Sequence, residues 1–143
     1  MIWILLQVKF PLRDETKLRV ALERTHTTLW IRSTKQSRWA KKGQILGFAR
    51  ATSDSNLTAT IWDVAVHPAW QKQGAGRGLV ERIVTSLCSQ GVSVICLYAE
   101  PNVVLLYQKL GFQKDLKTMK GMGFATRSPA GQQMIAAAVQ LQP

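Results

Sequence analysis

The sequence predicts an α/β fold in which hairpin strands come first and a strand–helix–strand–helix–strand unit follows. Three observations carry that prediction. Short β-rich runs separated by turn residues fill the first half, a helical apolar period runs from Leu79 to Cys88, and a glycine-rich turn, Gly74 to Gly78, stands between them. At 143 residues the chain is long enough for one core and short for two. The reading is a single domain over residues 1–127 and a tail, 128–143, to which the sequence assigns neither structure nor duty.

The first ten residues read as a strand or an irregular apolar lead-in, closed by Pro11. Asp14 and Glu15 then stand where acids favour a helix N-terminus, with Leu18, Ala21 and Leu22 along one face and Arg24 near the end. Thr27–Ile31 is a β-rich run, Lys35–Gly43 a polar, basic hairpin connection, and Ile45–Ala51 the returning strand. Ser53, Asp54, Ser55 and Asn56 form a turn cluster, and Leu57–Val66 is a further strand stopped by His67-Pro68. Leu79, Val80, Ile83, Val84, Leu87 and Cys88 then share one helical face, with Glu81 and Arg82 opposite and Gly91 as the stop. Val92–Tyr98 is a continuous apolar run, which predicts a central strand covered on both faces. Asn102 is placed to cap a helix carrying Val104, Leu105, Tyr107 and Leu110 and ended by Gly111. Phe112 opens a last β region, interrupted at Lys114–Lys120 and resumed near Met122–Ala125.

Composition narrows the function. Hydrophobic residues at 46% and charged residues at 19% exclude disorder and a fibrous repeat. The apolar run Met1–Leu6 is broken by Gln7, Lys9 and Pro11, too short to span a bilayer, and it lacks the basic start of a secretory signal. No membrane partner is expected, and no targeting or transmembrane segment is visible in this chain. Cys88 and Cys96 have no second pair and no neighbouring histidine, so the expectation is reduced, buried thiols and no metal site. The net charge of +11 favours an anionic partner: a polyanionic cofactor, an acidic protein surface or nucleic acid. Much of the excess lies in the first fifty residues, where Lys35, Arg38, Lys41 and Lys42 form an acid-free cluster. No helix-turn-helix, zinc-finger or RNA-binding pattern accompanies it, which argues against nucleic acid.

The turn Gln71-Lys72-Gln73-Gly74-Ala75-Gly76-Arg77-Gly78 is the part that carries chemistry. Glycines let successive N–H groups approach a ligand with no Cβ in the way. The first turn of the next helix adds unpaired amides and a positive dipole end, a natural phosphate cradle, with Lys72 and Arg77 alongside. A Walker site is excluded because no Gly-Lys-Ser/Thr follows. A dinucleotide fingerprint is a poor fit, since the glycines at 74, 76 and 78 do not make G-x-G-x-x-G.

Gln71-Lys72-Gln73-Gly74-Ala75-Gly76 resembles the Q/R-x-x-G-x-G/A signature of the GNAT (GCN5-related N-acetyltransferase) superfamily. Asn102 and Leu106-Tyr107-Gln108-Lys109-Leu110-Gly111-Phe112 resemble its second half-signature. Ala49–Asp54, Ala59–Val64 and Lys120-Gly121-Met122 are most similar to the plastid and cyanobacterial group that includes plant serotonin N-acetyltransferases and the nuclear-shuttle-interacting acetyltransferase. The resemblance covers about residues 8–124. It implies a mixed central sheet flanked by helices, with a splay between two parallel strands near Val64–Val66 and Leu97–Ala99, and an N-terminal strand missing or reduced. The closing strand departs from the family pattern, reading Gly123-Phe124-Ala125-Thr126-Arg127 where aromatic residues are usual.

The same resemblance implies acetyl-CoA as cofactor and acetyl transfer to a primary amine, a serotonin-like arylalkylamine, by direct attack in a ternary complex. Alternatives are transfer to protein lysines or N-termini, and a catalytically weak acyl-CoA-binding or interaction protein. Cofactor contacts fall to Val64, Ala65 and Val66 through backbone atoms, to Gln71, Lys72, Gln73, Gly74, Ala75, Gly76 and Arg77 at the pyrophosphate, and to Asn102 and Tyr107. Tyr107 is the expected general acid, since a phenol with an ordinary pKa near 10 is matched to a departing thiol. Asp63 is the candidate base, although a regular strand would turn it to the side opposite Trp62. Glu100 and a water relay through backbone carbonyls are the other routes, and His67 reads as a solvated turn residue. Trp62 and Tyr98 would wall the amine. A plant chain of this group would work in the plastid stroma and a bacterial one in the cytoplasm, as a monomer or homodimer.

Overall fold

The structure, a computed structural model, describes residues 14–115 and 128–140. The chain falls into two compact units, Met1–Gly111 and Phe112–Pro143. In the first, helix α1 (Glu15–Glu23) is capped by Asp14, whose carboxylate accepts the Lys17 amide at 2.9 Å, and it buries Leu18. Strands β1 (Thr27–Arg32), β2 (Ile45–Ser53), β3 (Thr58–Val66) and β4 (Val94–Leu97) form one sheet in the order β1-β2-β3-β4. The first three strands are antiparallel, and β4 lies parallel to β3. Helix α2 (Ala75–Ser89) makes the parallel crossover, as a parallel pair requires.

The expected periods account for the core. Leu79, Val80, Ile83 and Leu87 are the buried stripe of α2, which lies across β1, β2 and β3. Each such side chain contributes about 1.5–3 kcal/mol by leaving water. The helix comes so close that a Cβ at Gly47 would stand 3.0 Å from Ile31 Cδ1 and 3.2 Å from Leu79 Cδ1. On the opposite face Trp30 packs on Phe48, ring centroids 4.5 Å apart. The strand β2 is buried from Leu46 to Ala51 and forms the centre of the unit.

Several expectations are corrected. The apolar run over Val92–Tyr98 yields only a four-residue strand, and its burial alternates: Ile95 and Leu97 are half-buried, Val94 and Cys96 exposed. The alternation means that one face of the strand is exposed among the described residues. Cys88 is exposed as well, because it follows Leu87 by a hundred degrees around α2 and leaves the buried stripe. Both cysteines are free thiols but neither is buried. Asn102 caps no helix. It sits exposed inside a 3₁₀ turn (Pro101–Val103), and helix α3 (Val104–Lys109) starts after Val103 with no side-chain cap. Phe112 begins no strand. The N-terminal lead-in and the closing β region near Met122–Ala125 lie outside the described residues.

In the second unit the tail, without predicted structure, holds helix α4 (Pro129–Gln140). Met134 and Ile135 on it are exposed. Among the described residues no helix is long and apolar enough to cross a membrane.

Candidate active site

The strand β3 changes character along its length. Ala59–Ile61 pair with β2 on one side, and Thr58–Ile61, as Thr58↔Val94 to Ile61↔Leu97, pair with β4 on the other. From Trp62 onward β3 runs past the end of β4, which stops at Leu97, and so has no β4 partner at the place where the resemblance implies a splay. At the same point the register with β2 jumps: Arg50 faces Trp62, Phe48 faces Ala65, and Ala49 alone stands opposite Asp63 and Val64. This is a β-bulge, one extra residue in β3. Asp63 takes φ +52°, a left-handed conformation that costs a residue with a Cβ about 1–2 kcal/mol.

The bulge overturns the expected orientation of Asp63. Arg50 shares its side of β2 with Phe48 and Thr52, and Thr52 Oγ1 accepts the Trp62 indole N–H at 2.9 Å. Asp63 Oδ2 accepts from Arg50 Nε at 2.6 Å, so its carboxylate lies on the Trp62 side of the sheet. The two side chains are 10% and 4% exposed. Arg50 Nη1 also donates, at 3.4 Å, to Thr25 Oγ1, which itself donates to the Ala21 carbonyl of α1 at 2.7 Å. The candidate base is therefore a buried, ion-paired carboxylate.

Beyond the bulge, Ala65 and Val66 are buried and Val64 is half-buried. His67 is a half-buried cap in place of a solvated residue: its Nδ1 accepts the Ala69 amide at 3.2 Å at the start of a 3₁₀ turn (Pro68–Trp70). The Gln71 side chain donates to the Val66 carbonyl at 2.9 Å and that of Gln73 to Ala69 at 3.0 Å, so both glutamines brace the loop with their amide groups. The indole N–H of Trp70 is buried and has no hydrogen-bond acceptor among the described residues.

The glycine turn is shaped as a cradle. Lys72 at φ +59° and Gly74 at φ +87° are both left-handed, and Gly74 precedes α2 with no side-chain cap on the helix's first amides. A Cβ at Gly74 or Gly78 would meet nothing within 4 Å, and one at Gly76 only Val66 Cγ2 at 3.7 Å. Open space over uncapped N–H groups at a positive dipole end fits an anionic phosphate. Arg77 lies beside it, paired with Glu81 at 2.7 Å on the exposed helix surface.

Two side chains assigned to the acceptor do meet. Trp62 and Tyr98 stack with ring centroids 5.7 Å apart, 37% and 69% exposed, and form an open aromatic surface where β3 and β4 part. Tyr107 is half-buried on α3, and burial pushes its phenol above the ordinary 10.0, so it holds its proton at neutral pH. Asn102 and Glu100 are exposed. The sequence reading passed over Arg50 and Thr25. The available signal was an arginine between two alanines inside a strand, a position that demands a buried partner.

The described sheet is thus a four-stranded mixed one whose parallel pair ends beside an uncapped glycine turn. A family model for the acetyltransferase (GNAT) domain matches residues 26–114, and the chain belongs to that family. It is 43% identical over 118 residues to rice serotonin N-acetyltransferase 2, chloroplastic, covering 82% of this chain and 57% of the relative. To the soybean protein named histone acetyltransferase TAP1 it is 37% identical over 119 residues, 81% of this chain and 52% of the other. The chain thus spans a little over half the length of these curated relatives. Among solved structures, a GNAT-family acetyltransferase from Streptococcus pneumoniae superposes with a TM-score of 0.67 at 20% identity, covering 89% of each chain, and shares the fold.

Proposed function

We propose that this chain is an acetyl-CoA-dependent N-acetyltransferase whose acceptor is a primary arylalkylamine. The observation that carries the proposal is the uncapped start of α2 at a glycine turn with open space above it, directly beyond a strand that runs on past the end of its parallel neighbour. The amides of Gly74, Ala75, Gly76 and Arg77 would hold the phosphates, with Lys72 adding charge. The backbone of Val64–Val66 would bind the pantetheine arm and the thioester oxygen. Acetyl-CoA, when bound, supplies a thioester whose carbonyl carbon accepts the amine nitrogen and whose sulfur leaves.

Tyr107 would give its phenolic proton to that sulfur, its raised pKa keeping the proton available, while the proton shed by the amine would pass to solvent, from which the phenol is restored. The Trp62–Tyr98 surface supports an aromatic amine, which would stack there with the amino group toward the opening. The name of the rice relative points the same way. That of the soybean relative points to protein lysines, but a chain of net charge +11 repels lysine-rich tails. For a plant chain the reading implies the plastid, the setting in the rice protein's name.

Gly76→Glu tests the reading. Its Cβ has room, so the variant should melt cooperatively, while its carboxylate faces the helix start where phosphate should bind. Calorimetric titration should show acetyl-CoA bound about a hundredfold more weakly, about 2.7 kcal/mol. Unchanged affinity would remove the phosphate assignment. Binding without turnover on any arylalkylamine or lysine peptide would leave an acyl-CoA-binding protein.

A further inference from the structure

We infer that Arg50 is a positioning residue for acetyl transfer, acting through Asp63 to set the backbone of Val64–Val66, and that Asp63 serves as its partner in place of a base. The inference deepens the proposed function and rests on it.

The argument begins with the strand. In β structure, alternate residues send both N–H and C=O to one neighbour and then to the other. An extra residue reverses that assignment for every residue after it. The bulge opposite Ala49 therefore decides which amides of Val64–Val66 turn toward β2 and which toward the side left free beyond the end of β4. Any group that binds a thioester on that side depends on the bulge being present and in phase.

A bulge with a left-handed aspartate is not a conformation the chain adopts unaided. Val64, Ala65 and Val66 are ordinary strand formers, and Asp63 bears a Cβ. The structure places a fastener at that residue: Arg50 Nε on Asp63 Oδ2 at 2.6 Å, both side chains nearly sealed from water. The two charges are thus buried together. Its far nitrogen reaches Thr25 at the end of α1, which ties the bulge to the helix preceding the sheet. A buried ion pair is poor evidence for stability, because desolvation offsets attraction, and such pairs are better explained by the specificity of the conformation they fix. Here the fixed conformation is a backbone phase next to the reacting atoms.

The test uses the whole chain and three variants: Arg50→Met with Asp63→Asn together, Arg50→Lys alone and Asp63→Asn alone. Removing both charges leaves no unpaired ion, so the double variant should melt near the wild type. In the free protein, amide ¹H–¹⁵N shifts of Val64, Ala65 and Val66 should move while those of Gly74, Gly76 and Gly78 stay. Affinity for CoA should change less than about threefold, since the phosphate turn is untouched, and turnover should fall tenfold or more, a kcat effect without a KM effect. The pH profile should keep its acid limb, and Arg50→Lys, which restores the charge, should recover part of the lost turnover. Unmoved Val64–Val66 amides in the double variant would overturn the inference whether or not the chain acetylates an amine. So would a normal Arg50→Lys beside an Asp63→Asn single variant that loses both turnover and the acid limb, which is the behaviour of a base. Failure of the wild type to bind CoA would instead strike the proposed function, and the amide shifts would still judge the role of Arg50.

Discussion

The two halves of β3 are built from similar residues and end in opposite states. Thr58–Ile61 alternate regularly and bury Ala59 and Ile61, and Ala59–Ile61 pair on both sides. Trp62–Val66 carry the bulge, a left-handed residue and no β4 partner. Complete pairing leaves a strand nothing to offer a ligand, because every N–H and C=O is already spent. The second half departs from regularity where the proposed function puts the thioester. On that reading stability would reside in the first half and reactivity in the second, within nine residues.

Perturbing each half should separate these properties. The largest effect belongs to the chemistry that the open half serves. Tyr107→Phe keeps the ring and its packing, and loss of the proton donor should lower single-turnover acetyl transfer by about 10²–10⁴. Binding of acetyl-CoA should be nearly unchanged, and a rate within about threefold of wild type would remove Tyr107 as the acid. The pH dependence has a definite sign. The acid works while protonated, and burial raises its pKa, so turnover should hold as pH rises to 10 and fall only above it. Stability linked to the neutral phenol is likewise present below 10 and lost as pH passes through the raised value.

In the paired half the expectation is reversed. Ile61→Ala empties a site that is 3% exposed beneath α2, which should cost about 2–5 kcal/mol in a denaturant melt. The folded fraction should acetylate at close to the normal rate. A kcat loss with little destabilisation would show that the two halves are not separable.

The smallest effect lies at the start of the strand. The Asp54 carboxylate accepts the amides of Asn56, Leu57 and Thr58 at 2.7–3.0 Å, and these bonds hold its pKa down, from 3.8 to about 2. Its contribution is present above pH 3.8 and is lost as pH falls through about 2. Asp54→Ala should therefore melt slightly below the wild type at neutral pH, and the gap should close between pH 4 and pH 2. A gap independent of pH would mean that the charge contributes nothing.

Much of this was legible because it is periodic. The stripe from Leu79 to Leu87, the alternation through β3 and the turn residues at Ser53–Asn56 each announce an element, and the glycine turn announces a phosphate-sized opening. The bulge was not legible. Val64, Ala65 and Val66 are all apolar, so inserting a residue before them leaves no break in the pattern. For the same reason Asp63 read as facing away from Trp62, and the arginine that holds it was overlooked. The exposed thiol of Cys96 escaped notice because an apolar run shows that a strand suits burial, and cannot show how many faces are covered.

The left-handed pair Lys72 and Gly74 has a consequence in time. Conformational cost met during folding need not be met again when a ligand arrives, so the cradle is ready before any encounter. Association of a CoA phosphate with this turn should then be a single bimolecular step, its observed rate rising linearly with concentration and showing no plateau. With +11 charges on the chain, that rate should be set by electrostatic steering and should fall as salt screens the field.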